Sequence, residues 1–231
     1  MCTNIFLYIC THKNLYKMKT RNLFLSAAAI SMIAVSCAGS GESHTEEAAP
    51  MVEETTAAPA NWAVDAESSN VRWEGNTAGA QVYGHFGDVK IKEGRVATEG
   101  DKIVAGNFTI DMTTIEPKDE NYSEEHPAAD LVGHLSTADF FLVEEFPTAS
   151  FEVTSMEGNT VKGNLTVKGQ THEETVMLEN AEFSEDGNMM KAAGTLTFDR
   201  QKYGVAWAHY LKDVVLSDDI KLTISLVAKK A

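Results

Sequence analysis

The 231-residue sequence predicts an all-β fold, an eight-stranded antiparallel β-barrel with one short helical insert between strands. Three observations carry that expectation. From residue 61 to the end, apolar and polar side chains alternate with period 2, the mark of half-buried strands. Nearly all gaps between these stretches are short enough for antiparallel hairpins. Gly84, Gly87, Gly106, Gly163 and Gly194 fall inside or beside the strands, where glycine permits the sharp coiling of a closing sheet. Closure also removes exposed sheet edges. A sandwich is the alternative, but it would have no need of so many mid-strand glycines.

Taken in order, the chain opens on a segment that reads as an address. Lys19 and Arg21 precede an apolar stretch, Leu23 to Val35, long enough for a signal-peptide core and short for a membrane span. Small residues follow, then Cys37. The pattern resembles the lipobox of bacterial lipoproteins, with Ala34 where that motif usually has Leu. It implies a diacylated Cys37 as the mature N-terminus. Residues 1–36 are thus expected to be a signal peptide, with translation starting at Met18 because residues 1–17 fit badly upstream of it. An ordinary secretory signal that contains a Cys is the other reading. Residues 37–60 are expected to be the lipidated Cys and a flexible tether. Residues 38–60 carry five Glu, no Lys or Arg, no aromatics and no apolar period, so they cannot bury enough surface to fold.

Residues 61–231 are expected to be the barrel. Strands are predicted at Val71–Gly75 and Gln81–Lys92. Next comes 102–112, where Val104, Phe108, Ile110 and Met112 share one face. In 149–155, Phe151 and Val153 alternate with Glu152 and Thr154. In 163–169, Leu165 and Val167 alternate with Asn164, Thr166 and Lys168. Glu174–Phe183 follows, then 191–200 with Leu196 and Phe198 on one face, and 220–229 with Leu222, Ile224 and Leu226. The connection from Met112 to Thr148 is too long for a hairpin. Pro127 opens a short helix there, with Ala128, Leu131, Val132 and Leu135 at helical spacing, and Phe140, Phe141 and Phe146 follow. The insert reads equally as a lid over a cavity mouth or as a plug of one barrel end.

Composition excludes several functions. With 19 Lys and Arg against 34 Asp and Glu, the net charge is −15, so there is no electrostatic case for binding nucleic acid. Removing the four basic residues before Cys37 leaves 15 basic and 34 acidic side chains, a net charge of −19. Such a surface avoids adsorbing flat onto anionic headgroups. The three cysteines lie at 2, 10 and 37, which excludes a disulfide-stapled fold and a Cys-based zinc site. No nucleophile elbow, P-loop, dinucleotide fingerprint or H-E-x-x-H motif occurs. No catalytic residues, cofactor or metal are expected. An enzyme using some of His85, His134, His172 or His209 is the weakest reading. What the chain does have is apolar bulk: eight Phe, three Trp and four Tyr lie between Trp62 and Tyr210. Most would be core, but a barrel of eight strands is just wide enough to hold one small ligand.

Three motifs in order carry a family resemblance. Trp62-Ala63-Val64-Asp65 with Ser68-Ser69 is the first. His134-Leu135-Ser136-Thr137-Ala138-Asp139-Phe140-Phe141 followed by Phe146-Pro147-Thr148-Ala149-Ser150-Phe151 is the second. The third is Val161-Lys162-Gly163-Asn164-Leu165-Thr166-Val167-Lys168-Gly169-Gln170-Thr171. With Asp199-Arg200 and Tyr203-Gly204, these resemble the YceI-like family across 61–231. The resemblance implies a lipocalin-like barrel with a long hydrophobic pocket holding a polyisoprenoid, such as a polyprenyl lipid or quinone tail. It also implies an exported binding or carrier protein without established catalysis. Phe140, Phe141 and Phe151 occupy matching motif positions and are expected to line the pocket. Trp73, Phe86, Phe108, Ile110, Leu165, Leu196 and Phe198 are added from alternation alone.

The functional expectation is a lipoprotein of the bacterial cell envelope, anchored through Cys37 in the outer membrane. Its barrel would carry or sequester a polyisoprenoid-like lipid. A structural or interaction lipoprotein with a filled barrel is the alternative. The sequence is compatible with a homodimer.

Overall fold

The computed structural model describes residues 59–78, 83–208 and 215–231. Strands β1 (Pro59–Val64) and β2 (Asn70–Ala78) lead into two sixteen-residue strands, β3 (Gly84–Glu99) and β4 (Lys102–Pro117). Helix α1 (Ala128–Leu135) interrupts the sheet. Then follow β5 (Thr148–Glu157), β6 (Thr160–Val167), β7 (Gln170–Phe183) and β8 (Met189–Asp199). A 3₁₀ turn at Arg200–Tyr203 precedes β9 (Val215–Lys230).

Every pairing is antiparallel, and sequence neighbours from β2 to β9 lie side by side. Pairing of β2 with β9 closes the sheet into a barrel. The ninth strand, β1, adds no position to the ring. Trp62 of β1 faces Val96 and Lys230, while Trp73 of β2 faces Gly87 and Leu222, so both strands run between β3 and β9. They are one ring strand broken at 65–69, where the Ser68 N–H donates to the Asp65 carbonyl at 3.2 Å. Ser69 anchors the break, exchanging hydrogen bonds of 2.9 and 3.2 Å with the Val227 main chain. The barrel is therefore eight strands round.

Bulges set which side chains enter the barrel. The β3–β4 register slips between Ala97 and Thr98, and a bulge lets two residues oppose one, shifting the alternation by one. As a result Ile103, not Val104, points inward and is buried, while Phe108, Ile110 and Met112 still line the interior. The expected inward face of Val104 is corrected on this ground. Strand β3 also runs seven residues past the predicted end at Lys92, to Glu99.

The two ends of the barrel differ. One end, here the helical end, gathers α1, the 3₁₀ turn, the start of β3 and the ends of β2, β4 and β6. The far end holds the β3–β4, β5–β6 and β7–β8 turns. Trp62, Val96, Ile103, Met190 and Ala228 form a separate tight cluster there, with Met190 fully buried. The Trp62 indole N–H donates to Thr98 Oγ1 at 3.0 Å, and Phe183 packs against the indole at 5.4 Å. That end is plugged by side chains.

Candidate functional site

Between the plug and the helical end lies a cavity of about 660 Å³. This is within the range of small-molecule sites, roughly 300–1,000 Å³. Along β8 the inward side chains run from Met190 to Phe198, eight residues or roughly 26 Å of strand. With the usual tilt of barrel strands this gives roughly 20 Å of depth. The deeper wall is made of residues such as Val71, Ile91, Val176, Leu196, Leu222 and Ile224. The polar side chains in the lining (Asn76, Thr77, Tyr83, His85, His126, Asp130, His134 and Arg200) all belong to the helical end. Trp73 brings the one polar atom into the deeper wall. Its buried indole nitrogen is the sole buried side-chain N or O without a hydrogen-bond partner among the described residues.

Glycines make room where rings must pass. A Cβ on Gly163 would lie 2.4 Å from Phe151 Cζ, so only glycine lets that ring lie across β6. Gly87 does the same for β4, since its Cβ would meet the Glu116 carbonyl at 2.2 Å and Trp73 Cζ2 at 2.7 Å.

Nine of the ten expected pocket residues line this cavity: Trp73, Phe108, Ile110, Phe140, Phe141, Phe151, Leu165, Leu196 and Phe198. Phe86 does not, and its expected place is corrected. Up to the register slip between Ile91 and Glu93, Val89 and Ile91 put the odd positions of β3 inside, so Phe86 points outward, and the Arg72 guanidinium sits 4.1 Å above its ring. Cys37 and His209 lie outside the described residues. His172 is not part of the lining: it shares the inward face of β7 with Val176 but packs edge-on against the buried Tyr203 at 5.0 Å, its Nε2 2.9 Å from the Lys202 carbonyl oxygen.

The insert covers part of the helical end. Pro127 caps α1, and the Ser136 N–H and hydroxyl both return to the Val132 carbonyl, at 3.1 and 2.8 Å. Leu131 and Leu135, one turn apart, face the cavity together with Phe140 and Phe141. His134 is wedged edge-on between Phe140 and Trp207, at 4.9 and 5.0 Å. Arg200, nearly fully buried, fixes the rim. It donates to the carbonyls of Val205 at 2.6 Å, Trp207 at 3.1 Å and Ser217 at 2.9 Å, and to Asp218 at 3.1 Å.

Between the start of β3 and the segment that joins β4 to α1, the rim carries a polar cluster that no single sequence motif announces. The Asp119 side chain is 2% exposed. Both its oxygens lie 3.2 Å from His85 Nδ1, and it accepts the Tyr122 hydroxyl at 2.7 Å and the main-chain N–H of Asn121 at 3.1 Å and Phe86 at 3.3 Å. His85 Nε2 lies 3.0 Å from the Tyr83 hydroxyl. Burial pushes the Asp119 carboxyl up, but the hydrogen bonds from Tyr122, Asn121 and His85 outweigh it and hold the group below the ordinary carboxylate range. Burial and the bond to Asp119 together push the Tyr122 phenol up. No group of three or more His, Cys, Asp or Glu is placed to hold a metal among the described residues.

A closed antiparallel barrel around a one-ended apolar hollow defines the class of small-ligand-binding β-barrels of the lipocalin kind. Within that class the assignment is specific: residues 62–228 match the YceI-like domain, and the chain belongs to the YceI-like family. A UPF0312 protein of Staphylococcus aureus strain N315 is 36% identical over 137 residues, spanning 56% of this chain and 77% of the relative. The crystal structure of Burkholderia cenocepacia BcnA superposes with a TM-score of 0.53 at 20% identity, covering 72% of this chain and 99% of that one. A polyisoprenoid binding domain from Saccharophagus degradans is more distant, with 11% identity and a TM-score of 0.49 over 74% of this chain and 98% of its own.

Proposed function

We propose that this barrel binds a long-chain apolar lipid of the polyisoprenoid kind, as a carrier or sequestering protein, and is not an enzyme. The observation that supports this best is the apolar cavity of about 660 Å³, plugged at one end by the Trp62 cluster. A filled barrel, the structural alternative, would leave no such hollow. Burying apolar carbon yields roughly 0.8 kcal/mol per CH₂, so a five-carbon isoprene unit is worth about 3–4 kcal/mol. Three such units give about 10 kcal/mol before ordering costs, and micromolar binding requires about 8 kcal/mol. A greasy tail thus needs no charged contact to be held.

The membrane arrangement belongs to the same proposal. A lipid on Cys37 anchors the chain in the bacterial envelope, in the outer membrane, and the acidic residues 38–60 keep the barrel near the bilayer without adsorbing onto it. Labelled-lipid incorporation checks the anchor, with label expected on wild type and none on Cys37→Ala. Equal labelling of both ends that part of the proposal.

Ligand binding is tested by native mass spectrometry of the purified protein, stripped with organic solvent and offered farnesyl and quinone lipids. One bound lipid per barrel is expected for wild type. Ala192 is buried and lines the cavity two residues from Met190 of the plug, so Ala192→Trp is expected to occupy the closed end and weaken uptake. No uptake by the folded wild-type protein rejects the proposal.

A further inference from the structure

The polar cluster at the rim is not explained by a purely apolar tail. Asp119, His85 and Tyr83 form a directed chain that ends at the cavity. The Asp119 carboxylate only accepts hydrogen bonds, so the His85 Nδ1 facing it carries the proton. In the neutral imidazole Nε2 is then the acceptor, and the Tyr83 hydroxyl, 3.0 Å away, donates to it. Tyr122 holds the imidazole in place, stacked at 5.6 Å with its hydroxyl spent on Asp119. The Tyr83 oxygen is left with lone pairs, on a side chain 49% exposed that lines the cavity mouth. It therefore offers an acceptor to whatever emerges from the hollow.

We infer that this rim is the head-group subsite of the proposed lipid site and selects a chain ending in a hydroxyl, which donates to Tyr83. The inference rests on the lipid-binding reading and adds the chemistry of the head. A phosphate head fits poorly. Glu120, Glu124, Glu125 and Asp130 are exposed around this rim, and Lys118 is paired with Glu116 at 2.6 Å. Arg200, the one Lys or Arg among the described lining residues, has its guanidinium engaged by main-chain carbonyls and Asp218. A carbonyl head only accepts, and would have to draw the Tyr83 proton away from His85.

The test uses the full chain and four probes with one tail: farnesol, farnesyl methyl ether, farnesyl phosphate and farnesene. The ether keeps the oxygen and removes only the donated proton. Farnesol is expected to bind about five-fold tighter than the ether, the worth of one net hydrogen bond, with farnesyl phosphate weaker than both. Tyr83→Phe and, separately, His85→Phe are each expected to bring the farnesol-to-ether ratio close to one. His85→Phe keeps the Tyr83 hydroxyl but frees its proton for donation. If farnesene binds and farnesol shows no advantage over the ether, the head-group subsite is overturned while the cavity reading stands. A preference that survives both substitutions overturns it as well. If no probe binds, farnesene included, both readings fall.

Discussion

Asp119 shows how one side chain at the rim is tuned. Its folded value lies below that of an unfolded Asp, about 3.9, so in acid the unfolded chain takes up the proton first. The stability it contributes is present above about pH 4 and is lost as pH falls through the folded value. Asp119→Asn is therefore expected to be less stable than wild type at pH 6 and to lose less stability between pH 5 and pH 3, read from urea unfolding midpoints. Phe86 is informative in the opposite way. It was assigned to the cavity from alternation alone. The signal that settles the phase lies farther along β3, at Val89 and Ile91, which place the odd positions of the first half of the strand inside. With the ring outside, Phe86→Ala is expected to cost about 1 kcal/mol in stability, through the lost Arg72 contact, and to leave lipid uptake unchanged. A loss of uptake comparable to that of Ala192→Trp would put the ring back in the site. Asp119 itself was legible only as part of an acidic loop, because its partners on β3, His85 and the Phe86 N–H, lie more than thirty residues away in sequence.

At the scale of elements, the strands with clean alternation were readable, and so was α1, whose Leu131 and Leu135 recur at four-residue spacing behind Pro127. Two features were not. The bulge at Ala97/Thr98 moves Ile103 into the phase assigned to Val104, and nothing in the local residues marks it. Strand β1, Pro59-Ala60-Asn61-Trp62-Ala63-Val64, is too short to show a period, and its upstream neighbours are tether-like. Yet β1 delivers Trp62 to the plug. That indole N–H is buried and satisfied by Thr98, whose own side chain is nearly inaccessible. Thr98→Val keeps the shape and removes the acceptor. A cost of about 1–3 kcal/mol is expected in chemical denaturation, with the cavity lining unaltered. A neutral substitution would mean that the far end is held by packing alone.

For the whole molecule, closure and hollowness come from different parts of the sequence. Closure follows from antiparallel neighbours, which the short gaps between strands already imply, and from the β2–β9 pairing, to which only the mid-strand glycines pointed. Hollowness depends on how large side chains from facing strands meet, and no one-dimensional pattern encodes that. Fifteen aromatics could equally have filled the interior. Instead, Trp62 and Phe183 go to the plug, Phe86 to the outside and Tyr203 to the rim side of β8. Phe108, Phe140, Phe141, Phe151 and Phe198 coat the wall. The central claim is that the interior accepts a hydrocarbon tail. The most direct measurement is a crystal structure of the protein soaked with a farnesyl chain bearing bromine at its terminal carbon, located by anomalous scattering. The account predicts a bromine peak inside the barrel, among Leu165, Leu196 and Phe151. A peak only on the outer surface, with side chains filling the interior, would contradict it.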